Sequence, residues 1–390
     1  MLLLHISDTH LGSRRYDKEF REQDVFDVFT QLVEIAVKEH VKAVIHSGDL
    51  FDVYKPGNKA LKFFVDSTKP LRDKGIHFIN IPGDHDTPKV KEELYPQRLL
   101  GESLGLIKVI MGDQGPKFIE LNEDGLRVKI YGIRHMSNVY KDALQELLSS
   151  IKPDGDRNVL MLHQGIREFL PYDESWQLEL GSLPSGFQYY ACGHLHSRRL
   201  HNLPGGGKLA ISGSPEIIRE EEIKGWSELG KGAFLIDLSK KEAEVLPLNV
   251  KVRLQKVINI NVDSVEQDIA NIRRSIESEM LENNLIDSKK RPILHVVLKG
   301  DSIKRGTAIK KLASLQDFAE FYRIYKDETE DPRKPVDAPD NAGTVRELME
   351  SYLRSQGYND DEVKLVLEII EKHDSDEADE LLRKFAELRK

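Results

Sequence analysis

Seven side chains of metal-ligand type fall in five short clusters, and each cluster follows an apolar run of strand-like composition. They are Asp8 and His10 in LLLHISDTH, Asp49 in AVIHSGD, Asp84 in FINIPGDHD, His163 in NVLMLHQG, and His194 and His196 in YYACGHLH. A short apolar run that stops at Gly, Asp or His reads as a strand buried on both faces, the kind found in parallel sheets. Ligands just past the C-terminal ends of such strands converge on the crevice where open α/β sheets place their sites. Taken singly, Asp49 and Asp84 read as turn residues and the histidines as satisfied polar groups of a core. Five clusters in one register argue for a site.

The residue types fit one chemistry. Two divalent ions roughly 3.5–4 Å apart need carboxylates and neutral imidazoles, with one carboxylate shared between them. Mixed nitrogen and oxygen ligation without thiolate suits Mn²⁺, Fe²⁺ or Zn²⁺ better than Ca²⁺, and Mn²⁺ tolerates carboxylate-rich shells. Such a pair turns water into hydroxide near neutral pH and clamps the attacking and departing oxygens of a phosphate ester.

The spaced motifs D-x-H, G-D, G-x-H-D, a lone His after a strand, and G-H-x-H resemble the calcineurin-like metallophosphoesterase superfamily. The longer stretches SDTHLG, HSGDLFD, LMLHQGIRE, CGHLH and SGSPE resemble more narrowly the SbcD/Mre-type nucleases of double-strand-break repair. The likeness is strong over residues 1–240 and mainly organisational beyond. It implies that Asp8, His10 and His196 hold a first metal, that Asp84, His163 and His194 hold a second, and that Asp49 bridges them. It implies that His85 binds no metal but faces the scissile phosphate, stabilising charge or protonating the leaving oxygen. Two positions depart from the family pattern. Asp84 stands where G-N-H-D is usual, which adds negative charge and removes an amide donor. Asp52 stands where many relatives carry a second phosphate-facing His; there it either repels phosphate, finds a partner, or is a solvent-facing loop residue.

Composition narrows the setting. The single Cys192 leaves no disulfide framework, fits a reducing compartment, and reads as a small core residue at a strand end. The chain opens directly on LLLHIS with no basic, cleavable leader, and no run approaches the roughly 18–20 apolar residues of a membrane span. A soluble, intracellular, cytoplasmic protein with no membrane partner is expected. The net charge of −9 is unusual for a protein that handles DNA, so its distribution matters. Only residues 251–330 carry more basic than acidic groups, with Arg273–Arg274, Lys289–Lys290–Arg291, Lys304–Arg305 and Lys310–Lys311 as local clusters. Phosphate contacts need local positive charge; a balanced, solvated surface is the plain alternative.

The pattern predicts an α/β fold: a layered domain over 1–245, which the resemblance implies is the phosphoesterase domain, with central β sheets flanked by helices such as 24–39. A small α+β capping module follows over 250–328, read as strand, helix (264–281), strand, short helix and strand. Residues 329–342 are polar and Pro-rich, hence a linker. Residues 343–390 carry helical apolar stripes: Val345, Leu348, Met349, Tyr352 and Leu353; then Val363, Val366, Leu367 and Ile370; then Leu381, Leu382, Phe385 and Leu388. This tail either folds on its own core or docks on a partner groove. The resemblance implies the latter, with the coiled-coil root of an ABC-type ATPase as partner, and implies a homodimer through phosphoesterase-domain helices. Apolar stretches at 60–71 and 94–106 are the candidates. The expected function is a Mn²⁺-dependent exo- and endonuclease with two Mn²⁺ per chain, acting on double-stranded DNA ends in a break-repair complex. The alternatives are a small-substrate phosphodiesterase of the same superfamily and a DNA-binding scaffold with weakened catalysis.

Overall fold

The computed structural model describes the chain except for residues 89–93, 171–174, 284, 286–289, 331–344, 372–380, 383 and 386–390. Most of the expected linker, together with Lys289 and Leu388, lies outside the described residues. The described chain forms two compact units, Met1–Gly300 with Gly306–Glu328, and Asp301–Arg305 with Thr329–Lys390.

Two six-stranded sheets dominate the first unit. In spatial order the first runs Glu244–Asn249, Gly232–Asp237, Leu2–Ile6, Ala43–His46, His77–Asn80 and Lys108–Val109. The second runs Phe118–Glu123, Leu126–Ile133, Arg157–Leu162, Tyr189–Cys192, Lys208–Ile211 and Arg199–Asn202. Their central strands are parallel, which explains why they read as unbroken apolar runs: both faces are buried. Alternation sorts each strand between two cores. Leu3, Val159 and Met161 fill the space between the sheets. Leu4 meets the helices Glu19–Lys38 and Asn58–Ser67 on one outer face, and Leu160 and Leu162 meet the helix Lys141–Ser150 on the other. The fold is thus the layered α/β phosphoesterase arrangement. The first helix starts five residues earlier than the apolar pattern suggests, because Glu19 and Glu22 favour its first turn.

In the α+β module Gln255–Asn261 lies parallel to Ile293–Asp301, and Phe321–Glu330 completes a three-stranded sheet. The helix Val265–Glu282 covers it. The module falls in the same compact unit as the phosphoesterase domain, and buried charge joins them. Asp24 accepts from Arg21 at 2.8 Å and from Arg253 at 2.7 and 3.0 Å, and it pairs with Lys290 at 3.1 Å. Removing one member of such a network leaves an unpaired buried charge and costs about 3–5 kcal/mol. Several basic groups of this module are therefore committed within the protein: Lys290 to Asp24 and Asp27, Arg291 to Glu320, Arg273 to Glu277 and Lys311 to Glu266.

In the second unit the helices Val345–Ser355 and Asp360–Glu371 are joined by a turn at Gly357, whose φ of +85° suits glycine. Val363 and Leu367 are buried, Tyr358 stacks on Phe385, and Tyr352, Ile370 and Leu382 are exposed. The apolar stripes are divided between packing and surface.

Candidate metal centre

All seven predicted ligand-type residues meet at one place, just beyond the C-terminal ends of parallel strands from both sheets. Asp8, Asp49 and Asp84 follow strands of the first sheet; His163, His194 and His196 follow strands of the second. The loops are shaped for this purpose. Asp8, His10, Asp49 and His194 adopt left-handed backbone, with φ of 50°, 44°, 56° and 77°, a strain on the order of 1 kcal/mol each that the packing must hold. Gly48, at φ +97°, lets the loop before Asp49 pass against an imidazole: a Cβ there would sit 2.1 Å from His163 Nδ1. The carboxylate of Asp86 accepts the amides of Gly83, Leu50 and Phe51 at 3.0–3.1 Å, tying the loop of Asp49 to that of Asp84.

The side chains form two sets around Asp49. One comprises Asp8, His10 and His196. Here His10 Nε2 and His196 Nε2 face each other at 3.1 Å, while His196 Nδ1–H donates to Glu222 Oε1 at 2.8 Å and His10 Nδ1 lies 3.4 Å from Asp52 Oδ1. Two ring nitrogens with inward lone pairs at that distance need a proton or a metal between them. The other set comprises Asp84, His163 and His194. Asp84 Oδ1 is 3.1 Å from His163 Nε2 and 3.3 Å from His194 Nδ1, and His163 Nδ1–H donates to the Ser47 carbonyl at 2.7 Å. Asp49 Oδ2 lies 3.8 Å from His10 Nε2 and 3.4 Å from His163 Nε2, so one oxygen addresses both sets.

The donor set fits divalent metal. Asp8 Oδ2 is buried without a hydrogen-bond partner, a costly state unless a cation satisfies it. Burial opposes charge throughout, yet the carboxylates dominate. Burial draws the His10 imidazole down, but Asp52, Asp49 and Asp8 together lift it to about 9. His163 is likewise drawn down by burial and raised, on balance well above the usual range, by Asp49 and Asp84. Burial pushes Asp49 and Asp84 up, and the histidines pull both well below the usual carboxylate range. A site that holds protons on imidazoles this firmly releases them when metal arrives.

His85 stands at the mouth, half-buried. Its amide donates to Asp49 Oδ1 at 2.9 Å and its Nδ1–H to the Asp52 carbonyl at 2.7 Å, which leaves Nε2 as its second ring nitrogen. Two clefts share Asp84 and His85. One is lined by Arg14, Arg15, Tyr16 and Tyr54, the other by Phe169, Arg199 and Arg219. The Asp52 side chain, 29% exposed, lines the first cleft and lies 3.4 Å from His10 Nδ1, and His10 overcomes the effect of burial to hold its carboxyl below the usual range.

Sequence reasoning missed three residues. Glu222, which orients His196, carries no local signal, since it lies on a helix 26 positions downstream. Asp86 was within the quoted motif but passed over. His135 had the signal that found the others, because VKIYGI is an apolar run followed by Arg134 and His135. It lies two residues past the strand Leu126–Ile133, offering a ligand atom near Asp84 and His194. Burial, then neighbouring His163, lower its pKa to about 4.

The calcineurin-like phosphoesterase family model matches residues 1–198. The DNA double-strand break repair protein Mre11 of Sulfolobus acidocaldarius is 46% identical over 390 residues, covering 99% of both chains. The protein of the same name from Saccharolobus solfataricus is 44% identical over 98% of both chains. That of Sulfurisphaera tokodaii is 42% identical over 96% of this chain and 94% of its own. With that similarity along its whole length and a site made of carboxylates and imidazoles, the chain belongs to the Mre11 family and is a metal-dependent phosphodiesterase of the calcineurin-like class.

Proposed function

We propose that this protein is a Mn²⁺-dependent DNA nuclease, with exo- and endonuclease activity, that works on double-stranded ends as the nuclease subunit of a break-repair complex in the cytoplasm. The observation that carries the reading is the single Asp49 oxygen set between two separate donor sets. In this reading Asp8, His10 and His196 hold a first Mn²⁺, Asp84, His163 and His194 a second, and Asp49 bridges them. When bound, two such ions supply a hydroxide nucleophile and stabilise the attacking and leaving oxygens of a phosphodiester. The protein's own contribution is position. Glu222 fixes the ring of His196, and His85, held by its Nδ1–H bond, directs Nε2 at the phosphate, where the doubly protonated imidazolium would stabilise charge or give its Nε2 proton to the leaving oxygen.

DNA recognition rests on the two clefts. Arg14 and Arg15 on one side, with Arg199 and Arg219 on the other, offer phosphate contacts among the acidic groups Asp49, Asp52, Asp84, Glu221 and Glu222 that also line the clefts, part of whose charge bound metal would neutralise. The repair role draws on the relatives, which are DNA double-strand break repair proteins. The helical tail, with Tyr352, Ile370 and Leu382 exposed, suits docking on the coiled coil of an ABC-type ATPase. For a homodimer, the stretch at 94–106 is the better candidate, since Leu94, Leu99 and Leu104 are exposed while Ala60, Phe64 and Leu71 belong to the core. Among the described residues no helix is long and apolar enough to cross a membrane.

Cleavage of plasmid and hairpin DNA with Mn²⁺, beside bis-p-nitrophenyl phosphate, tests the reading. Wild-type protein is expected to cut both DNA forms. His85→Ala should keep both metals and lose about 10²–10⁴ in rate. Cleavage of the small ester alone points to a small-substrate phosphodiesterase, and metal binding with neither activity points to a scaffold. Loss of metal in His85→Ala makes His85 a ligand.

A further inference from the structure

We propose that His135 is a third imidazole of the second metal centre, alongside His163 and His194. The proposal rests on the two-centre reading above and deepens it. Its first support is position. The strand Leu126–Ile133 runs parallel to Arg157–Leu162 in the second sheet, so the residues after its C-terminal end enter the same crevice as His163. His135 is two residues past that end.

The second support is convergence. One ring nitrogen of His135, one of His194 and a carboxylate oxygen of Asp84 lie within 4.8 Å of one another. Ligands about 2.1 Å from one ion lie roughly 3–3.5 Å apart, so sharing an ion requires these side chains to close by up to about 1.5 Å.

The third is the hydrogen-bond pattern. His135 Nδ1–H donates to the carbonyl of His163 at 3.0 Å. That bond fixes the tautomer and leaves the lone pair on Nε2, the way ligating histidines are held. The backbone on either side is fixed as well: the His135 amide donates to Pro82 O and the Arg134 amide to Met111 O, each at 2.9 Å. Arg134 is itself held by Asp113 at 2.7 Å and donates to the His135 carbonyl at 2.9 Å. A ring whose purpose was only to fill space would not need that anchoring. The plain alternative is a wall, since His135 stacks on His194 at 5.7 Å between centroids and 26° between planes.

The assignment has a chemical consequence. The two centres differ in donor balance, the first having two imidazoles and the second three. Imidazole-rich shells suit Zn²⁺, Fe²⁺ or Co²⁺ more than carboxylate-rich ones do, so the second position discriminates against Mn²⁺ more than the first.

The test uses the full chain and three variants. His135→Asn keeps a donor where Nδ1 sits and lacks Nε2; His135→Phe keeps the ring stack and lacks both nitrogens; His163→Ala is the control for the second centre. Calorimetric titration with Mn²⁺ and with Zn²⁺, and the visible absorption spectrum of the Co²⁺-loaded protein, are the readouts. Both His135 variants are expected to bind one ion as wild type does and the other at least about 100-fold more weakly, beyond the roughly 10–100-fold of a supporting residue, with a larger loss for Zn²⁺ than for Mn²⁺ and an altered Co²⁺ spectrum. Wild-type affinity and spectrum in His135→Asn would make His135 a positioning residue acting through the His163 carbonyl, and in His135→Phe a wall; either overturns the assignment. Should the wild-type protein take up a single ion, or His163→Ala leave two sites intact, the two-centre reading fails and takes the assignment with it.

Discussion

The two halves of the site are built differently. In the half around Asp8, His10 and His196, the outer nitrogens of both imidazoles face carboxylates, Glu222 and Asp52. Glu222 is buried and held by Lys231 at 2.5 Å and Ser214 at 2.7 Å, and Asp8 and His10 are buried completely. In the half around Asp84, His163 and His194, the partner of His163 is a neutral carbonyl, and the side chains of Asp84 and His194 are 34% and 24% exposed. A carboxylate behind an imidazole raises its basicity and fixes its ring; a carbonyl does so less. The first half is a rigid, charged anchor. The second is open to the clefts, where a substrate can enter.

The largest break in this comparison comes from the residue the halves share. Asp49→Ala should weaken both ions at least about 100-fold, read by metal analysis after dialysis, because losing a carboxylate that touches both ions exceeds the roughly 10–100-fold of a supporting residue. Loss confined to one half would mean Asp49 does not bridge.

Glu222→Gln attacks the anchor alone. It removes the charge behind His196 and strands buried Lys231, so we expect about 3–5 kcal/mol of destabilisation by denaturant titration and about 10–100-fold weaker binding of one ion. A stable variant with unchanged titration would show that Glu222 has no special role.

The ground beneath the anchor is sensitive to acid. Burial, and then His46, lower the pKa of His5 to about 3, and His46 is lowered by burial to about 3 as well. His5 is held neutral by Tyr189 and Ser47, and His46 by Thr9 and Asn80. Because these folded values lie below the unfolded 6.5, the unfolded state binds protons first as pH falls. Stability is present above 6.5 and is lost progressively down to about 3. Each ring should remove roughly 1.5 kcal/mol between pH 6.5 and 5. His10 and His163, shifted upward, act weakly the other way in that window, by roughly 0.4 kcal/mol each, because the folded rings are already protonated at pH 6.5 while the unfolded ones go from half to nearly full protonation. Denaturation of metal-free protein at these two pH values measures the loss; a flat profile would mean the rings are charged in the fold.

The smallest effect is expected in the open half. Asp84→Asn removes one negative charge beside the phosphate while keeping an oxygen ligand, so the second ion should stay, with nuclease activity equal or modestly higher. Mn²⁺ calorimetry beside a cleavage assay checks this. Clear loss of the second ion would show that this half depends on a carboxylate.

The sequence by itself determined the strands and the convergence of the seven candidate ligands, because each of them is written next to the apolar run that delivers it. Burial on both faces forces such a run into a parallel strand, and its end must open on the crevice. The order of elements in the α+β module and the helices of the tail were legible for the same reason, as periodicity is local. Only the tertiary structure decided which nitrogen of these imidazoles faces inward, because the partners that fix the rings come from afar: Glu222 for His196 and Ser47 for His163. It also decided what charge is available. Lys290 reads in sequence as part of a basic cluster for DNA, yet it is committed to Asp24 and Asp27 on the first helix, while the arginines that line the clefts fall in residues 1–250, which are net acidic as a whole. Charge in a sequence is a count, whereas charge at a surface depends on which partners the fold brings within reach.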